Sequence, residues 1–209
     1  MRWIAGLAFV LAAPTSAQGV PDVVGTWELT AAENVPYENE LVFARMAFSS
    51  DELRSVFVFL DPDDAELQGR IHSDRYVVSD GQFVVRDAQS TTVLDVAREG
   101  TELTVRDVQS GVLFRLREAD PAWALDPDLV GAWAGQIGSE QAVVTFSPDG
   151  AARVVEADGD TETVGYVVAG PYLLIDEVAF RYAFARADGG RQLVLERNGE
   201  ARIFQPTRP

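Results

Sequence analysis

From about residue 22 onward the chain reads as short stretches of strict apolar/polar alternation separated by turn residues. Leu103 and Val105 alternate with Thr104 and Arg106, and Val112, Phe114 and Leu116 alternate with Leu113, Arg115 and Arg117. Successive side chains of a strand point to opposite faces, so this period predicts strands with one apolar face each. Asp80-Gly81 sits between Tyr76-Val77-Val78 and Phe83-Val84-Val85, a two-residue hairpin signal. Glu99-Gly100, Asp149-Gly150, Asp158-Gly159, Gly189-Gly190 and Asn198-Gly199 mark further turns. Helical periodicity is nearly absent. Ser50 to Leu60 opens on a cap-like Ser50-Asp51, but its Val56-Phe57-Val58-Phe59-Leu60 core is β-branched and aromatic and reads as strand.

The pattern occurs twice. Pro21-Asp22-Val23-Val24-Gly25-Thr26-Trp27 returns as Pro127-Asp128-Leu129-Val130-Gly131-Ala132-Trp133, with five of seven positions identical at an offset of 106. Downstream the offset becomes 90, pairing Tyr76-Val77-Val78 with Tyr166-Val167-Val168, Gly100 with Gly190, Leu103 with Leu193 and Phe114 with Phe204. The first copy is therefore longer by 16 residues between its Trp and its Tyr, and Asp61-Pro62-Asp63-Asp64 is the natural place for the longer loop. Each copy holds about eight strands, the spacing of all-β sandwiches and barrels. The expected fold is all-β: two tandem antiparallel up-and-down meanders, each closing into a small barrel. The expected division is a signal peptide over 1–17, β domains over 18–119 and 127–209, and a linker over 120–126.

Gly-x-Trp on the first strand, followed by a meander closing on a strand with a terminal Arg, resembles the lipocalin-like (calycin) barrels. The resemblance implies that Trp27 and Trp133 plug the closed ends. It also implies an Arg packed across each indole: Arg115 or Arg117 in the first copy, Arg208 in the second. A cation over an indole face is electrostatically favourable. Both copies are shorter than a ligand-binding lipocalin, and Pro206 interrupts the last strand of the second.

The N-terminus adds a destination. Met1-Arg2 is a short positive region, Trp3 to Ala13 an almost unbroken apolar run, and Pro14-Thr15-Ser16-Ala17 supplies small residues for cleavage, which leaves Gln18 as the mature start. The run falls short of the roughly 20 residues a spanning helix needs. A soluble, exported protein, periplasmic or secreted, is expected, with no stable membrane insertion. The 33 acidic and 17 basic side chains give a net charge of −16, which repels phosphate backbones and makes nucleic acid a poor partner.

Composition also removes chemistry. The chain has no Cys, a single His, and only Arg among its Lys/Arg residues, which excludes thiolate nucleophiles, Cys-ligated zinc and Schiff-base catalysis. His72 lies in Arg70-Ile71-His72-Ser73-Asp74, where alternation puts it on one face with Arg70 and Asp74. It reads better as a polar, solvated strand position than as a general base, and its counterpart in the second copy is Glu162. Asp61, Asp63, Asp64 and Glu66 lack the central Gly and distal Glu of a calcium loop and read as an acidic turn. Ser147-Pro148-Asp149-Gly150 is a turn rather than a nucleophile elbow. No catalytic residue, cofactor or metal is assigned.

What remains is aromatic. Phe43, Phe48, Phe57, Phe59, Tyr76 and Phe83 in the first copy are the candidate lining of a ligand cavity, with Phe146, Tyr166, Tyr172 and Phe180 their counterparts in the second, though ordinary core is the competing role. The leading expectation is a non-enzymatic protein that binds a small apolar ligand, in the longer first copy, or an envelope partner. The alternatives are a carboxylate- and Tyr-dependent enzyme on the same fold, and a purely structural interaction module.

Overall fold

The computed structural model describes residues 22–35, 40–64, 66–86, 90–120, 126–137, 140–176, 178–187 and 190–207. The expected signal peptide (1–17), most of the expected linker (121–125) and Arg208 lie outside the described residues. All regular structure among them is antiparallel strand. The first eight strands are β1 (Gly25–Glu33), β2 (Glu40–Phe48), β3 (Glu52–Leu60), β4 (Leu67–Ser79), β5 (Gln82–Arg86), β6 (Thr91–Glu99), β7 (Glu102–Asp107) and β8 (Leu113–Glu118). Each pairs with the next, and β8 returns to β1, so the meander closes into an eight-stranded ring. β9 (Gly131–Ile137), β10 (Glu140–Phe146), β11 (Ala151–Glu156), β12 (Thr161–Ala169), β13 (Tyr172–Ile175), β14 (Val178–Ala187), β15 (Gly190–Arg197) and β16 (Glu200–Pro206) follow the same plan. The second ring closes through Gln205–Ala134 and Pro206–Trp133. One bridge, Gln68 to Val178, joins β4 to β14 and makes all sixteen strands one hydrogen-bonded sheet.

The turns form where the sequence places them. Asp80 and Gly81 have φ of 53° and 81°, and Asn198 and Gly199 have 55° and 73°, the doubly left-handed geometry of tight hairpins that match strand twist. Paired positions of the two copies also hold equivalent places. Tyr76 donates its hydroxyl to the Ser49 carbonyl, as Tyr166 does to Ser147, and each ring packs edge-on against Phe48 or Phe146. Leu103 and Leu193 are both fully buried.

The registers show where the first copy's extra length goes. The offset between equivalent positions is 106 at Trp27/Trp133, 98 at Phe48/Phe146 and 90 at Tyr76/Tyr166. The 16 residues are thus shared equally between the β1–β2 and β3–β4 hairpins, rather than gathered at Asp61–Asp64. β1 and β2 are each 9 residues against 7 in β9 and β10, while β3 and β4 have 9 and 13 against 6 and 9 in β11 and β12; at about 3.3 Å per residue the β3–β4 wall rises by roughly 10–13 Å. Phe59 and Arg70 belong to this raised wall.

The interiors differ accordingly. Trp27, Phe48, Tyr76, Phe83, Leu103 and Leu116 form the core of the first ring. Trp133, Phe146, Tyr166, Leu173, Leu193 and Phe204 fill the second. A third cluster lies between the rings: Phe43, Val56, Val58 and Leu67 from β2–β4 meet Ala169, Tyr172, Leu174 and Ala179 from β12–β14. Phe43 and Tyr172 stand 5.7 Å apart, and Glu66 pairs with Arg197 at the rim.

Phe43 therefore corrects its expected place inside the first barrel. A register shift in β2 between Leu41 and Phe43 inserts one residue, after which Phe43 pairs with outward-facing Val58 instead of continuing the inward row. Tyr172 is corrected with it, since it serves the contact between rings rather than a cavity.

Gly170 tests that contact. It has a φ of +59°, and a Cβ there would lie 2.8 Å from the Phe43 ring. Gly170→Ala should lower stability by about 1–3 kcal/mol through overpacking, over and above its left-handed backbone cost. In a Phe43→Ala background only the backbone cost should remain. Denaturant unfolding of the four proteins in this cycle checks it, and an unchanged cost in both backgrounds would place the Phe43 ring elsewhere.

Candidate functional site

One end of each ring is sealed around its tryptophan. Trp27 is wholly buried and donates its indole N–H to the Val23 carbonyl at 2.9 Å, and Trp133 does the same to Leu129 at 2.8 Å. The guanidinium over Trp27, 5.0 Å from the ring, is that of Arg98 on β6. Arg98 also donates to the carbonyls of Asp22 and Gly100, tying the chain before β1 to the β6–β7 turn. Arg115 and Arg117 do not reach the indole. Leu116 between them points inward, so both project outward and pair with Glu33 and Glu28. In the second ring Phe184 covers Trp133, and Arg191 lies over Phe184 while pairing with Asp128.

The opposite end of the first ring holds a cavity of about 330 Å³. Its apolar wall includes Met46, Leu53, Phe57, Phe59, Val105 and Phe114. Phe57 is the centre of an aromatic cluster: Phe59 stacks near it at 6.3 Å, Phe114 tilts against it at 5.8 Å, and the His72 imidazole meets it edge-on at 6.1 Å. The raised hairpins make this room, because Leu41 and Phe59 line it above the level at which the shorter second ring ends.

The other wall is polar, and β4 supplies most of it. Arg70, His72 and Asp74 lie directly across from Phe57, Ser55 and Leu53 of β3, so all three face the interior. Arg70 sits 5.4 Å over the Phe59 ring. His72 is exposed, the polar, solvated strand position expected, and it stands on the face of β4 that lines the cavity. Tyr76 is in phase with it, and a strand carrying Tyr76 inward carries Asp74, His72 and Arg70 inward too. Asp107 and Ser110 add polarity at the mouth. Burial pushes the Asp107 carboxyl up, but the Ser110 hydroxyl and the amides of Gln109 and Ser110 outweigh it and hold the group below its usual range.

Of the six residues expected to line a cavity, Phe57 and Phe59 do so. Phe48, Tyr76 and Phe83 pack together beneath it with Trp27. Sequence reasoning missed Arg98, although Leu94, Val96 and Arg98 share one face of β6. It also missed Met46, Val105 and Phe114 as lining. The acidic Asp61–Glu66 turn is self-capped, with Asp61 and Asp64 accepting from the amides of Asp63 and Glu66. No protein-family model matches the chain, and no curated protein matches it either.

Two expectations follow. Trp27→Ala should cost about 3–5 kcal/mol, read by denaturant unfolding, because no neighbour can refill the space of a fully buried indole. In the second ring, burial pushes the Tyr182 hydroxyl up to about 12, and Asp126, which accepts its hydrogen bond, adds to the shift. The folded state then holds this proton more tightly than the unfolded chain does. Its contribution is fully present below pH 10 and is lost as pH rises from there toward 12. Stability measured across that window should fall less steeply in Tyr182→Phe than in the unmodified protein.

Proposed function

We propose that the protein is an exported, non-enzymatic binding protein that holds one small, largely apolar ligand in the first ring. The cavity of about 330 Å³ carries the reading: it is concave, walled by aromatics and furnished with a few convergent polar groups, the usual make-up of a small-molecule site. The second ring, filled by its own aromatics, supports the first from outside. Export rests on the leader-like segment over 1–17. The resemblance to lipocalin-like barrels agrees with a carrier.

A second reading, an interaction module, draws on the seam of the second ring. There β9 and β16 pair at two positions only, and an open groove runs over Gln136, Gln141, Arg202 and Ile203. Unpaired strand edges accept added strands. Native mass spectrometry of protein isolated from its own host separates the two: a bound small molecule supports the carrier, a stoichiometric protein the module.

Ser55, buried on the cavity wall opposite His72, offers a direct test. Ser55→Trp should fill the space and weaken binding of an environment-sensitive apolar dye by at least about tenfold, the weight of one lost 1.4 kcal/mol contact. Thermal unfolding confirms that the variant is folded. Undiminished dye binding by a folded Ser55→Trp would locate the dye elsewhere and remove the support for this site.

A further inference from the structure

We infer that the Ser55 hydroxyl is the polar anchor of this cavity, and that the ligand is an uncharged, apolar molecule presenting one acceptor oxygen to it; the inference rests on the carrier reading above. Ser55 stands on the inward row of β3 between Leu53 and Phe57, with Met46 across from it on β2 and His72 across from it on β4. At 6% exposure it is more than nine-tenths buried, yet it lines the cavity. Among the described residues none donates to or accepts from its hydroxyl. The buried hydroxyls of Tyr76 and Tyr166, by contrast, each donate to a backbone carbonyl.

The second ring shows that the fold does not require a hydroxyl at this place. Trp27, Met46 and Ser55 lie across from one another on β1, β2 and β3, and the same places on β9, β10 and β11 belong to Trp133, Val144 and Val154. Val154 packs against the aromatic filling of its ring. The hollow ring therefore carries a hydroxyl where the filled ring carries hydrocarbon, in a row that otherwise reads Leu53, Phe57 and Phe59. Taking a hydroxyl out of water without a partner is unfavourable. A partner that arrives with the ligand accounts for the exchange.

The chemistry of that partner follows from what a serine offers. Its single hydrogen needs an acceptor, whereas lone pairs can stay idle at lower cost. A pure hydrocarbon would bury the hydrogen unbonded. A carboxylate needs several donors to leave water, and Ser55 supplies one; an ammonium has no lone pair to offer. An uncharged carbonyl or ether oxygen is satisfied by one bond, and the rest of the molecule then lies on Leu53, Phe57 and Met46.

The full chain should be titrated with 2-acetylnaphthalene, 2-isopropenylnaphthalene and 2-naphthoate. The first two share a shape and differ in whether oxygen or CH2 ends the side group. The same titrations of Ser55→Ala complete a cycle that isolates the contact between hydroxyl and oxygen. The expected result is the ketone binding about three- to tenfold tighter than the alkene, the worth of one neutral hydrogen bond, and tighter than the naphthoate. In Ser55→Ala the ketone and alkene should bind within about twofold of each other, the scatter of uncoupled changes. Its thermal unfolding should come no lower than that of the unmodified protein. A lower transition would give the hydroxyl a bond within the protein and overturn the anchor. Equal binding of ketone and alkene by the unmodified chain, or a ketone preference that survives in Ser55→Ala, would also overturn it while leaving a carrier. Naphthoate binding as tightly as the ketone would overturn the uncharged class. No binding of any probe would overturn the carrier reading, and the anchor with it.

Discussion

Closing an antiparallel sheet on itself removes both edges, but it also commits every strand to one inward face in a space of fixed width. The diameter of an eight-stranded ring follows from its strand number and stagger, so ring height is the variable left for making interior room. The second ring is short, and Trp133, Phe146, Tyr166, Phe184 and Phe204 are sufficient to fill it. The first ring has a similar floor, with Trp27 under Phe48, Tyr76 and Phe83. Two hairpins then continue upward beyond the level that floor can fill. The cavity is a consequence of wall height on a conserved cross-section, with no need for a wider barrel.

The sealed end obeys a related constraint. A buried indole N–H needs an acceptor, and in both rings the carbonyl four residues before the Trp provides it. That bond folds the segment before the first strand across the ring's end. An Arg from the sixth or seventh strand position then fixes it: Arg98 holds the Asp22 carbonyl, and Arg191 pairs with the Asp128 carboxylate. Arg98 lies on β6 across from Leu103, whereas Arg191 lies on β15 across from Arg186, so the same tie is reached from different registers. In the first ring this is why matching by position in the last strand pointed to Arg115 and Arg117 instead of Arg98.

Much of the architecture was legible because period-2 alternation and Asx-Gly turns are local signals. Leu103/Val105 and Asp80-Gly81 needed no tertiary information. The Trp and Tyr repeats gave the frame, and the register of Phe48 with Gly25 shows how it extends. Two things were hidden for physical reasons. The irregularity between Leu41 and Phe43 leaves no mark in composition, yet it turns Phe43 from the interior to the exterior. On β4, Leu67 and Ile71 alternate with Arg70, His72 and Asp74, and hydrophobicity alone would send the apolar set inside. Only the phase of Tyr76, at the strand's far end, reveals the inverse.

That inversion gives the second ring a role. A strand whose inward face is polar must bury apolar surface elsewhere or forfeit its packing energy, at about 25 cal/mol per Å² of apolar area. On β3 and β4 the outward side chains Val56, Val58 and Leu67 are buried against Ala169, Leu174 and Ala179 of the second ring. The second ring covers the outside of β3 and of β4 at Leu67, whereas along Arg70 to Asp74 the outside of β4 stays open and Ile71 is exposed. The filled ring thus acts as an external core for the hollow one. That interface buries the outward apolar row of β3, Val56 and Val58, while the inward row of the same strand, Phe57 and Phe59, lines the cavity.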